Sequence, residues 1–116
     1  MKTREMEDLI LSESLESLWN EVRDYLKRRG ILLNEEVRNY PTPIARCDEQ
    51  LTDLLERRAR AKNDTHRMDA LAGQALSHRD YVALITEFIE APSYSRDETE
   101  NSFKARLTAQ LRELGD

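Results

Sequence analysis

The sequence specifies an all-α protein, a compact bundle of four to six helices with no sheet, and three observations carry that expectation. Only three Gly and three Pro occur in 116 residues while Leu, Glu, Arg and Ala dominate, so helix formers outnumber turn formers. Apolar side chains recur three and four residues apart along most of the chain, the spacing of one face of a helix. Hydrophobic residues make up 39% and charged residues 35%, the balance of a modest core under a charged helical surface. A chain of this length forms one domain and buries roughly two-thirds of its unfolded surface without a disulfide or metal staple. Residues 1–12 are a candidate separate N-terminal helix or arm.

The first strong stripe is Leu11, Leu15, Leu18, Val22 and Tyr25, flanked by Trp19 and Leu26. Lys27, Arg28 and Arg29 followed by Gly30 read as a complete stop signal: cations against the negative end of the helix, then a residue suited to a left-handed cap. Met6, Leu9 and Ile10 lie roughly 100 to 200 degrees away from the stripe at 100 degrees per residue. Either the helix breaks near Ser12 to Ser14 or it carries a second apolar patch.

Asn34 with Glu35 and Glu36 suggests a short helix over 31–40 that Pro41 limits to a turn or two. Thr42 and Pro43 form the next start signal, and Ile44, Cys47, Leu51, Leu54 and Leu55 the next stripe, running at least to Lys62. A break is expected at Asn63, Asp64 and Thr65, all better as caps than in a helix interior. Beyond it Met68, Leu71, Ala72, Ala75 and Leu76 resume helical spacing.

Ser77 with Asp80 forms a capping box, and Leu76 is placed to staple onto Tyr81. Tyr81, Val82, Leu84, Ile85, Phe88 and Ile89 then cover an arc wide enough for a central helix, which Pro92 ends. Ser95 with Glu98 opens the last helix, striped by Phe103, Leu107, Leu111 and Leu114 up to Gly115.

Composition narrows the function classes. The net charge is −5, from 23 acids and 18 bases, which fits neither a basic nucleic-acid binder nor a disordered acidic tail. Ile31 to Leu33 is the longest apolar run, against about 20 residues for a membrane span, so no membrane partner is expected. The single Cys47 and an N-terminus unlike a signal peptide point to a reducing, cytoplasmic setting, with Cys47 buried and inert.

Candidate chemical sites dissolve on inspection. The cations Arg57, Arg58, Arg60 and Lys62, like those at 27–29, fall at expected helix C-termini, where the helix dipole accounts for them as solvated faces. The turn at Gly73 departs from a helix-turn-helix, since Arg79 falls at an apolar packing position and Asp80, Glu87 and Glu90 would face phosphates. His66 and His78 with Cys47, Asp64 or Asp80 offer zinc-type ligands, yet no pair has the spacing that pre-forms a site. The letters His78-Arg79-Asp80 match a kinase catalytic loop without the glycine-rich loop or the rest of that fold. No metal and no cofactor is expected.

The stretch from Cys47 to Arg58, Cys-Asp-Glu-Gln-Leu-Thr-Asp-Leu-Leu-Glu-Arg-Arg, resembles the first helix of the all-helical chorismate mutases. The resemblance implies that Arg58 reaches a substrate carboxylate. It covers about a dozen residues of the 116. Elsewhere the pattern departs: Pro41 stands where the family has a base, Asp69 where it has a Lys, and the second helix lacks an Arg-Glu pair. That rearrangement needs several cations around a dianion, which Arg58 alone does not supply.

The function expected is therefore a non-enzymatic helical protein acting by protein–protein interaction, with itself or a partner protein. Its candidate interface is Met6, Leu9, Ile10, Ile31 and Leu32, apolar positions outside the core stripes. One alternative is a small acidic regulator, such as an antitoxin or phage-encoded inhibitor, because residues 63–91 hold five acids (Asp64, Asp69, Asp80, Glu87, Glu90) against two bases (Arg67, Arg79). The other is a small helical-bundle isomerase built on Arg58.

Overall fold

The computed structural model describes residues 2–40, 49–95 and 98–115. Among them the chain is all-helical, with four helices and no strand: α1 (Lys2–Arg38), α2 (Glu49–Leu71), α3 (His78–Glu90) and α4 (Glu98–Gly115). The expected all-α class is borne out, at the low end of four to six helices, because the interruption weighed at Ser12 to Ser14 and those expected at Gly30 and at Asn63 to Thr65 do not occur.

The helix does not break at Ser12 to Ser14, it does not stop at Gly30, and 31–40 is not a separate short helix: all belong to the 37-residue α1. Residues 2–12 are accordingly its first turns rather than a separate helix or arm. The buried residues Leu15, Trp19, Val22, Leu26 and Leu33 explain why. They follow a four-three-four alternation with Leu26 and Leu33 seven apart, a heptad seam that carries across Gly30 and would be lost if the chain turned there. Gly30 keeps an ordinary helical backbone, with no positive φ. Packing of the seam therefore outweighs the local stop signal. The seam also shifts the expected stripe, since Trp19 and Leu26, read as flanking, are buried while Leu11 and Tyr25 are half-exposed.

The expected break at Asn63 to Thr65 is likewise absent, because α2 runs through it. Leu54, Ala61 and Met68 are buried at seven-residue intervals, so a break between Ala61 and Met68 would split one seam. Thr65 satisfies its hydroxyl inside the helix by donating to the Ala61 carbonyl at 2.7 Å. The start signal at Thr42 and Pro43, together with Ile44 and Cys47, lies outside the described residues.

The chain divides into two compact units, Arg23–Gly73 and the combination of Met1–Val22 with Gln74–Asp116. In the first, the end of α1 and α2 run antiparallel. Arg23 binds Asp69 at 2.9 Å, and eleven residues further along α1 Asn34 accepts from Arg58, eleven residues earlier on α2. Leu26, Leu33, Leu54, Ala61 and Met68 form its buried side.

In the second unit the first half of α1 contributes Leu15, Leu18, Trp19 and Val22, α3 contributes Ile85 and Phe88, and α4 contributes Leu107 to the buried set. Trp19 and Tyr81 meet with ring centroids 5.6 Å apart, and burial, with help from the Glu16 charge, raises the Tyr81 phenol above its usual range. Ser77 caps α3 as expected: its hydroxyl accepts from the Asp80 N–H at 3.1 Å, and the Asp80 carboxylate accepts from the Ser77 N–H at 3.0 Å. The apolar arc of α3 is wider than its buried side, for Val82 remains 40% exposed.

Candidate functional site

The α1–α2 hairpin carries a hollow rich in cationic and polar side chains. There a groove of about 650 Å³ is lined by Lys27, Gly30, Ile31 and Asn34 from α1, and by Arg58, Ala59, Lys62, Thr65 and His66 from α2. Antiparallel pairing creates it by bringing the 27–29 cluster of one helix beside the 57–62 cluster of the other. Both clusters sit in helix interiors, since α1 continues to Arg38 and α2 to Leu71. The helix-dipole account of these cations is thereby corrected: a charge two turns or more from a helix end gains little from the dipole.

Within the groove Arg58 donates to Asn34 Oδ1 at 3.3 Å, and no Asp or Glu is among the lining residues. Arg57, its neighbour in sequence, points elsewhere and pairs with Asp53 at 2.9 Å along the helix. Arg23 closes the far end of the hairpin. Its hydrogen bond to Asp69 holds that carboxyl below the usual carboxylate range against a small desolvation cost, with Lys27 and His66 adding to the effect. Lys62 stands one turn from Arg58 in the sequence itself; the hairpin adds Lys27.

The candidate interface residues are exposed: Met6 by 62%, Leu9 by 60%, Ile10 by 56%, Ile31 by 56% and Leu32 by 46%. Met6, Leu9 and Ile10 cluster within about 100 degrees of arc on the first turns of α1. Ile31 forms part of the cationic groove, while Leu32 lies one residue round the helix from it.

A buried polar site that the sequence reading missed joins α3 to α4. Glu100 is fully buried, accepts the Tyr94 N–H, and pairs with Lys104 Nζ at 3.2 Å. Lys104 also donates to the Ala91 carbonyl at 2.9 Å and stands 5.3 Å from the centre of the Phe88 ring. Phe88 in turn stacks on Tyr94 and meets Phe103. These contacts fix the α3–α4 corner. The only hint in the sequence was a Glu and a Lys four residues apart in an otherwise amphipathic helix, a pattern common on exposed faces. The expected box of Ser95 with Glu98 abuts residues 96 and 97, outside the described residues.

Of the five acids of residues 63–91, three are engaged within the chain. Asp69 is held by Arg23, Asp64 stands 4.0 Å from Arg67, and Asp80 is committed to the α3 cap. Among the described residues no group of three His, Cys, Asp or Glu side chains is placed to hold a metal ion. His78 bonds Ser12 through Nε2, His66 lines the groove, and Cys47 lies outside the described residues. No described helix is long and apolar enough to cross a membrane.

No family model, curated protein or solved structure matches the chain.

Proposed function

We propose that this chain is a non-enzymatic helical module of the cytoplasm that works by pairing with a second copy of itself through the outer face of α1. The observation that carries the proposal is the exposure of Met6, Leu9 and Ile10 on a helix that continues without a break into the seam at Leu15. A continuous helix cannot fold these residues back onto its own core, so another surface must cover them.

The order of residue types on that face favours a second copy. Met6, Leu9, Ile10, Glu13 and Glu16 share an arc of about 120 degrees, an apolar patch followed by an acidic end. Antiparallel pairing centred on Leu9 lays the apolar patch of one copy on that of the other by two-fold symmetry. A lone cysteine in 116 residues is compatible with a reducing compartment.

Sedimentation at tens of micromolar tests the reading. The wild type is expected to run as a dimer, and the double variant Leu9→Glu with Ile10→Glu as a monomer whose melting temperature is unchanged at matched monomer content. A wild type that stays monomeric across the range overturns self-association.

A further inference from the structure

We propose that the α1–α2 groove is a binding site for a small organic polyphosphate. Lys27, Arg58 and Lys62 line it together, and none of them makes an ion pair within 4.0 Å among the described residues. Three arginines of this hairpin do have acidic partners: Arg23 has Asp69, Arg57 has Asp53, and Arg67 stands near Asp64. Lys27, which also feels the Asp69 carboxylate, Arg58 and Lys62 line one hollow without a carboxylate in its lining, and an anion there offsets their mutual repulsion. The charge of the chain is also unevenly divided. The segment Arg23–Gly73 has eleven Lys and Arg against nine Asp and Glu, whereas the rest has seven against fourteen. An anion approaching this acidic protein meets its favourable potential at the hairpin.

The spacing sets the ligand class. Arg58 lies level with Asn34, Lys62 is one turn along α2 from Arg58, and Lys27 is two turns back along α1 from Asn34. At 1.5 Å rise per residue these cations form a row about 10 Å long. A single carboxylate or phosphate engages one or two of them, whereas a chain of phosphates engages all three, with the guanidinium fork of Arg58 gripping two oxygens and each ammonium acting as a point charge. Thr65, His66 and Asn34 add further hydrogen-bonding groups. Gly30, Ile31 and Ala59 leave an apolar strip beside the row, where an organic portion can lie. A Cβ placed on Gly30 would meet nothing within 4 Å, so the floor is open at that point.

Titration calorimetry of the full chain with inorganic tripolyphosphate tests the site, with citrate and a single-stranded oligonucleotide as comparators. Saturable binding of tripolyphosphate that weakens with added salt is expected, stronger than that of citrate. Arg58→Gln and Lys62→Gln should each lower the affinity about tenfold, the size of one charge-assisted contact. The triple variant with Lys27→Gln should abolish binding while its circular dichroism and melting temperature stay at wild-type values. The Leu9→Glu, Ile10→Glu variant should bind as the wild type does, which separates this site from the self-association face. Absent saturation, or heats unchanged in the triple variant, overturns the site. Citrate binding equal to tripolyphosphate overturns the phosphate class, and a tighter oligonucleotide overturns the small-ligand reading.

Discussion

The carboxylate of Glu100 receives the backbone N–H of Tyr94 through both of its oxygens, at 3.0 and 3.1 Å, six residues back across the α3–α4 corner. This side chain supplies the connection that begins at Pro92 with an acceptor from inside the core. Glu100→Ala should cost about 3 kcal/mol, because it leaves the Tyr94 N–H without its acceptor and Lys104, largely buried, without its counter-charge. Glu100→Gln keeps an acceptor for Tyr94 and should cost less. Urea unfolding of both variants checks the order; equal losses would mean that the ion pair with Lys104, not the turn contact, is what Glu100 contributes.

Phe88 lies at the centre of the aromatic contacts of this corner, between Tyr94 at 6.1 Å and Phe103 at 5.7 Å. Phe88→Ala should destabilise by about 3 to 5 kcal/mol, the range for removing a buried aromatic side chain. Ser77→Ala, at the start of the same helix, should cost about 1 kcal/mol. An unmoved denaturation midpoint for Phe88→Ala would contradict its burial.

How much of this was legible in the sequence depends on range. The α3 start was readable because Ser77 and Asp80 act on each other within three residues, and Pro92 ends the helix locally. Gly30, Asn63 and Thr65 were misread because their local preferences are opposed by contacts seven residues apart on each helix, Leu26 to Leu33 and Ala61 to Met68, made against a different helix. The groove was hidden for the same reason. Lys27 and Arg58 are 31 positions apart, and only an antiparallel hairpin of long helices sets them side by side. The exposed residues Met6, Leu9 and Ile10, by contrast, could be singled out by phase alone, since helical periodicity fixes which side they take once the core stripe is known.

Asp69 gives the hairpin a pH dependence of defined sign. Its carboxyl is held below the ordinary value of 3.8 chiefly by the hydrogen bond from Arg23, so the unfolded chain takes up a proton first as the pH falls. The contribution is present in full above that ordinary value and is lost as the pH drops through the lower, folded one. Arg23→Gln should therefore lie below the wild type in thermal stability at neutral pH and converge with it in acid. Parallel melting curves of the two proteins down to the acid limb would show that Asp69 is not linked to folding.

Gly30 offers the most direct test of why α1 is continuous. It occupies the interior of a 37-residue helix, where glycine costs roughly 0.5 to 1 kcal/mol relative to alanine through backbone entropy. Its backbone has no positive φ, and a Cβ there would meet nothing within 4 Å, so neither strain nor a clash opposes the exchange. Gly30→Ala should then raise stability by up to about 1 kcal/mol, and the helix content should hold or rise. A left-handed cap at this position, the arrangement its local sequence suggests, makes the opposite prediction: alanine would be strained at positive φ, and the variant would lose stability. The sign of one stability difference thus separates a helix that passes through residue 30 from one that ends there. If the variant is destabilised, the α1–α2 seam from Leu26 to Leu33 is broken at that point, and the groove built on it goes with it.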